Sequence, residues 1–412
     1  MTAPSTATGP SATARPLRVA LLGLGTVGRE VARGLLRHDG RFRAGTGGGE
    51  VRLVAVADPD PERLKGLDLA GVECVDDGAR LIGGPDVDVI VELIGGVEGA
   101  GRLVAAALDA GHSVVTANKA LLGRRGAELE HLARARNVAL RFEAAVGGGI
   151  PVLSPLASDL GANRITSVRG IVSGSTNFVL TSMASAGSSC AEAVAQAKAL
   201  GYLEADPSAD VEGRDAADKL AILIRLAFGA WPDVTAIRRA PPALSGDAGS
   251  GITAVDGPLI EAARREGMVV KLVAAASLAS DGRVGAWVLP AAVSSADPLA
   301  RIEGAENRIE IDGEPVGTVA FVGPGAGGVA TSSAVLGDLL AIARGRGSTW
   351  GGLPEAVALP ADRLVDGMDA GRRWLAHGGG ARSMVGPAPL GDARRQLAAS
   401  GDVTLFPVLE VR

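Results

Sequence analysis

The feature that most limits how this chain can fold is an apolar run broken by glycines. Residues 17–22, LRVALL, run straight into GLGTVG (23–28), and REVARGLLRH follows with apolar residues at helical spacing. Strand, glycine turn and helix together open a βαβ unit. Further buried strands are read at VRLVAVAD (51–58), VDVIVELIGG (87–96), HSVVTAN (112–118) and VALRFEAAV (138–146), with helices at 102–111 and 127–137. Strands that alternate with helices imply parallel pairing and a doubly wound, Rossmann-type sheet.

The turn itself carries chemistry. In Gly23-x-Gly25-x-x-Gly28, the first glycine permits a tight turn and the second lets backbone approach a pyrophosphate. The third allows close packing of helix on strand, and the helix N-terminus faces the anion. Asp58 closes the second strand, where an acid can bind a ribose 2′-hydroxyl. A dinucleotide site makes hydride transfer plausible and leaves the substrate open.

Past GGGIP (147–151) the pattern changes to a mixed α+β region. Strands are expected at 165–174, 269–278, 283–293, 308–313 and 317–323, and helices at 190–201, 216–229 and 332–345. We therefore expect a disordered tail at 1–16, a dinucleotide-binding domain at 17–150 and a substrate and dimerisation domain at 151–320. A segment at 321–345 returns to the first domain. Residues 346–412 form a weakly patterned extension with one helix (391–400) and one strand (402–411).

Composition narrows the partners. A net charge of −5 leaves no basic surplus for nucleic acid. No window of 18 apolar residues exists to cross a membrane. Two cysteines, Cys74 and Cys190, without a CxxC, together with four dispersed histidines, argue against zinc or disulfides and for a cytoplasmic protein. The histidines are expected at the surface and the cysteines as small packing residues.

The densest run of ionisable groups is GYLEADPSADVEGRDAADKL (201–220). An acidic run on a helix is usually a solvated face. If GRDAADKL is helical, however, Asp215 and Lys219 stand at i and i+4 on one face, with Asp218 expected on another, exposed. A lysine beside a carboxylate in a closed pocket can donate a proton to a developing oxyanion.

Several blocks, in order, resemble homoserine dehydrogenase: ALLGLGTVG (20–28), TANKALL (116–122), FEAAVGGGIP (142–151), GIVSGSTNFVL (170–180), the 201–223 block and GPGAGGVATSSAVLGDLL (323–340). The resemblance implies reversible NAD(P)H-dependent reduction of L-aspartate 4-semialdehyde to L-homoserine, on the route to threonine and methionine. It implies Lys219 as proton donor and Lys119 as the lysine reaching cofactor and substrate. Asp215, Glu204, Asp210 and Tyr202 fall on the substrate. Leu24, Thr26, Val27, Gly201 and Gly327 join Gly23, Gly25, Gly28, Asp58 and Lys119 on the cofactor. A monovalent cation, Na⁺ or K⁺, is implied at Glu143, Val146, Gly148 and Ile150, and a homodimer or homotetramer is expected. Ser173 stands where the family's asparagine is expected. The extension shows no start signature of the regulatory ACT domain that many bacterial relatives carry. The alternatives are another amino-acid or semialdehyde dehydrogenase of this fold, or a non-catalytic NAD-sensing protein.

Overall fold

The structure is a computed structural model and describes residues 15–37, 50–84, 86–369 and 371–411. The expectation for the N-terminal tail falls almost wholly outside them.

The first layer is a six-stranded sheet: β1 (Leu17–Leu22), β2 (Val51–Ala57), β3 (Glu73–Val75), β4 (Val89–Glu92), β5 (Ser113–Thr116) and β6 (Leu140–Arg141). Its order is β3-β2-β1-β4-β5-β6, with every pair parallel. The chain runs outward from β1 in one direction and then from β4 in the other, so the crevice between their C-terminal ends is the switch point where such sheets bind ligands. β1 and β4 are almost wholly apolar because helices cover both faces. The chain gains β3, a three-residue strand too short to show a period. It loses the end of the expected strand 138–146, where Glu143–Ala145 turns as a 3₁₀ helix. The helix expected at 127–137 begins instead at Lys119. Asn118 caps it by accepting from Leu121 N at 3.1 Å, and Asn137 ends it in the left-handed conformation.

The second sheet has eleven strands. Arg164–Ile171 lies antiparallel between Met268–Leu278 and Glu306–Glu314. Met268–Leu278 pairs along its whole length with Val284–Ser294. Side chains alternate between two cores. Leu272, Ala274 and Ala276 join the core shared with helices Gly174–Ala186, Arg214–Phe228 and Gly257–Arg265, while Val273, Trp287, Leu289 and Val293 face the other way. That other face is covered by the C-terminal residues: the hairpin Arg372–Gly378/Ala381–Ala388, the helix Leu390–Gln396 and the strand Thr404–Leu409. Trp374, Leu390, Ala393 and Leu405 supply the contacts. The final strand of the extension lies within the stretch read for it, and the helix starts one residue earlier than read, at Leu390; the hairpin was not read, because glycines interrupt its pattern. Helix Gly174–Ala186 was missed for the opposite reason. It is buried nearly all round its first turns, so it shows no amphipathic stripe.

Helix Gly328–Ala343 packs on Thr26–Leu36, with Val335 and Leu339 in the core shared with Leu21 and Val31. No described helix is long and apolar enough to cross a membrane.

Candidate active site

A cleft of about 500 Å³ opens where the two sheets meet. Its floor carries Lys119, Asp215 and Lys219; Tyr202, Glu204 and Asp210 line the acidic side, and Val27, Gly201 and Gly327 the dinucleotide side. Residues nearly a hundred apart in sequence thus converge, because helix 119–136 leaves the C-terminal edge of β5 and packs against helix 214–228.

Helix 214–228 begins at Gly213, whose φ of +75° lets the chain turn sharply from the acidic loop. Asp215 therefore sits in the first turn, its carboxylate buried and favoured by the helix N-terminus. Lys219 Nζ donates to Asp215 Oδ2 at 2.6 Å and to Val172 O at 2.8 Å, leaving a third N–H for the cleft. Asp215 Oδ1 lies 3.3 Å from Lys119 Nζ. Burial works against the charge of Asp215, but Lys219 and then Lys119 outweigh it and hold the carboxyl below its ordinary range. Asp215 in turn pushes Lys119 above the ordinary lysine range, against burial, with Asp210 and Glu204 adding to the effect. Asp215 thus lies between the two lysines, one carboxylate oxygen toward each.

Asp210 accepts from Ser175 Oγ at 2.5 Å, and Ser175 Oγ is 3.0 Å from Ser173 Oγ. Ser173 thus occupies the expected asparagine position with a hydrogen bond of its own. Burial, and then Asp215, push Asp210 above its usual range. Glu204 is exposed at the mouth, and Tyr202 leans its ring on Phe178 with centroids 5.0 Å apart. Gly201, at φ +75°, turns the chain out of helix Cys190–Ala199.

The glycine turn is tightly packed at one glycine and open at another. A methyl on Gly28 would stand 2.0 Å from Gly23 O, and one on Gly25 would meet nothing within 4 Å and project into open space. Leu24 is fully buried, and Thr26 starts the following helix. Asp58 is not free at the surface. Its Oδ2 accepts from Leu24 N at 2.7 Å and its Oδ1 from Asp60 N at 3.0 Å. Arg63 reaches Oδ2 at 3.4 Å with half of its side chain exposed.

Sequence reasoning missed Glu92. It is fully buried, accepts from Ile94 N and Gly95 N at 2.9 and 3.0 Å, and takes Thr116 Oγ1 at 2.6 Å. Thr116 Oγ1 accepts from Asn118 N at 3.0 Å, so one carboxylate ties the loop at the switch point to the start of the Lys119 helix. An acid ending a buried apolar strand was the available signal. Asp338 was missed too: it pairs with Arg141 at 2.7 Å and accepts from Glu143 N at 2.8 Å, fastening helix 328–343 to the loop after β6.

That loop carries the residues expected for a cation. The Glu143 carboxylate accepts from Leu153 N at 2.7 Å and Ser154 N at 2.8 Å, so the side chain caps the next helix. Each carboxylate oxygen keeps a lone pair, while the backbone carbonyl of Glu143 accepts from Val146 N at 3.5 Å. The carbonyls of Val146, Gly148 and Ile150 accept no hydrogen bond among the described residues. A set of unpaired carbonyls suits a hard monovalent cation. Among the described residues no cluster of three or more His, Cys, Asp and Glu side chains could hold a metal ion.

Three expectations fail on burial. Asp218 is buried rather than exposed, being 6% accessible. His112 is buried, with Nε2 accepting from Gly83 N at 3.0 Å and Nδ1 against Val87 O at 3.1 Å. Cys74 is exposed rather than packed.

Two family models match the chain: homoserine dehydrogenase over residues 151–340 and the homoserine dehydrogenase NAD-binding domain over 23–143. The homoserine dehydrogenase of Corynebacterium glutamicum is 44% identical over 333 residues, 80% of this chain and 72% of that protein. The chain belongs to the homoserine dehydrogenase family. The Mycobacterium tuberculosis homoserine dehydrogenase is 41% identical over 336 residues, 81% of this chain and 73% of that protein. Among solved structures, the Thiobacillus denitrificans homoserine dehydrogenase matches with a TM-score of 0.77 at 33% identity, over 95% of this chain and 90% of that one. A hyperthermophilic archaeal homoserine dehydrogenase in complex with NADPH matches at 0.64 and 29%, over 79% and 97%. Family membership makes the chain an oxidoreductase with an NAD-binding domain and a small-molecule substrate.

Proposed function

We propose that the protein catalyses the reversible reduction of L-aspartate 4-semialdehyde to L-homoserine, in the cytoplasm, on the route to threonine and methionine. The observation that carries this reading is the Lys119–Asp215–Lys219 cluster at the floor of a cleft walled on one side by acids and on the other by the dinucleotide turn. The substrate's fixed ammonium calls for carboxylates, which Glu204 and Asp210 supply. Its aldehyde oxygen gains negative charge in the reaction and calls for a proton donor.

The cofactor, when bound, supplies or accepts hydride. Val27, Gly201 and Gly327 would hold it with close backbone, and Lys119 would reach it from the end of β5. Lys219 donates its proton to the developing alkoxide in reduction and takes the hydroxyl proton in oxidation. Asp215 keeps the lysine aimed and compensates its charge. Asp58 would act on the cofactor from the end of the second strand, where it braces the glycine turn, and Arg63 stands beside it at 3.4 Å. A carboxylate there repels a 2′-phosphate and Arg63 attracts it, so NAD(H) serves at least as well as NADP(H). The carbonyls of Val146, Gly148 and Ile150, with Glu143, would hold Na⁺ or K⁺ in a structural role. The assembly is a homodimer or homotetramer joined through the second sheet.

The test is spectrophotometric: L-homoserine with NAD(P)⁺, and aspartate semialdehyde with NAD(P)H. Turnover with both supports the reading. A different amino-acid or semialdehyde substrate turned over in their place, or cofactor binding without turnover, replaces it with one of the two alternatives.

A further inference from the structure

Asp218 stands on the helix that carries Asp215 and Lys219, three residues after the first and one before the second. It is buried, and among the described residues its carboxylate has no hydrogen bond and no ion pair within 4 Å. It has this place because of a glycine. A methyl on Gly123 would stand 3.0 Å from Asp218 Oδ1 and 3.2 Å from its Cα. Gly123 lies one helical turn beyond Lys119, so the two helices close on each other and the carboxylate fills the notch behind the cluster.

The charges that face Asp218 are Arg124 and Lys119 from the neighbouring helix, and Asp215 and Lys219 from its own. The strands behind helix 214–228 carry the buried cations Arg169 and Lys271, but these are bound elsewhere. Arg169 pairs with Glu310 and Asp297, and Lys271 bonds Asn177 and Ile302 O. Burial pushes the Asp218 carboxyl up to about 6, with the nearby Asp215 adding and Arg124 opposing. Above that pH an anion with no hydrogen bond from a described residue sits behind two ammonium groups and one carboxylate. In a partly dry site such a charge acts over several ångströms.

We propose that Asp218 is a positioning residue that acts through the lysines: its buried negative charge sets how tightly the Lys119–Asp215–Lys219 cluster holds the proton that the reaction moves. This rests on the proposed function. In homoserine oxidation the hydroxyl proton passes to the Lys219 amine while hydride leaves carbon for the oxidised dinucleotide; reduction is the reverse. An anion behind the cluster favours its protonated form, so it helps the donor and hinders the base. The titration belongs to the cluster rather than to one residue.

The experiment compares wild type with Asp218→Asn and Asp218→Ala, using L-homoserine and NAD(P)⁺ from pH 6 to 10. The quantity read is the midpoint of the rising limb of kcat/KM. Both variants remove the charge; only alanine also leaves a void. We expect the midpoint to fall by roughly one pH unit in both. Profiles that superimpose on the wild type overturn the proposal. So does a loss of kcat in the alanine variant alone with no shift, since that reports packing. If the wild type itself does not oxidise homoserine, it is the proposed function that fails.

Discussion

Lys219 and Asp215 stand one helical turn apart with Nζ 2.6 Å from Oδ2, both side chains nearly out of solvent. Neither charge is isolated, since Lys219 also bonds Val172 O and Asp215 also meets Lys119. Removing one partner of such a pair leaves the other uncompensated, at a cost of about 3–5 kcal/mol.

The two residues should therefore behave as one unit. Asp215→Asn is expected to lower kcat about a hundredfold, and Lys219→Met at least as much. The double variant should lose far less than the product of the single losses. Steady-state kinetics on the three variants checks this. Losses that multiply would show that the residues act independently.

Asp58 and Arg63 should separate two effects on the cofactor. Asp58→Ala strips a buried N–H of its acceptor at Leu24, so it should weaken NAD(H) about tenfold, and NADP(H) less, because the repulsion of a 2′-phosphate goes with the carboxylate. Arg63→Ala should weaken NADP(H) by a similar factor and spare NAD(H). Fluorescence titration of both cofactors reads the difference. A strong NADPH preference untouched by Arg63→Ala contradicts the assignment.

How legible this was in the sequence depended on what each feature needs. The dinucleotide turn was readable because its glycines answer to backbone sterics: Gly28 is required by a carbonyl five residues away. Asp215 and Lys219 were readable because i and i+4 share a helix face whatever lies opposite. Asp218 was not, because its burial depends on Gly123, a residue on a different helix. Glu92 and Asp338 are hidden for the same reason. Their bonds go to Thr116 and Arg141, and only the fold brings these close. The role of 372–409 as a cover for the second sheet depended on strand pairing, which local pattern does not specify.

Asp218 also predicts a pH dependence of stability. Its folded value, about 6, lies above the ordinary 3.8. Between those values the folded chain keeps a proton that the unfolded chain has lost, so this group's contribution falls as pH rises from about 4 to 6 and is level above. Asp218→Asn removes that fall. Relative to wild type the variant should gain about 2–3 kcal/mol on going from pH 4 to pH 7. Urea melts at the two pH values measure it; a difference that stays constant or reverses contradicts the burial argument.

The carbonyl loop should respond to cations without changing substrate choice. Replacing Na⁺ and K⁺ by a large organic cation is expected to lower the melting temperature by several degrees, with the preference for homoserine retained. Full stability and activity in the organic salt would count against a cation at Val146, Gly148 and Ile150.

The most direct test of the account is the turnover of L-homoserine with NAD(P)⁺ by the wild type and by Lys219→Met, with cofactor affinity measured on both. Methionine keeps much of the lysine stem and removes its charge. The account predicts ready formation of NAD(P)H by the wild type, a kcat at least about a hundredfold lower in the variant, and cofactor dissociation constants within a few-fold of each other. A wild type inert toward homoserine, or a Lys219→Met enzyme with near-normal kcat while Lys119→Met is dead, would contradict it.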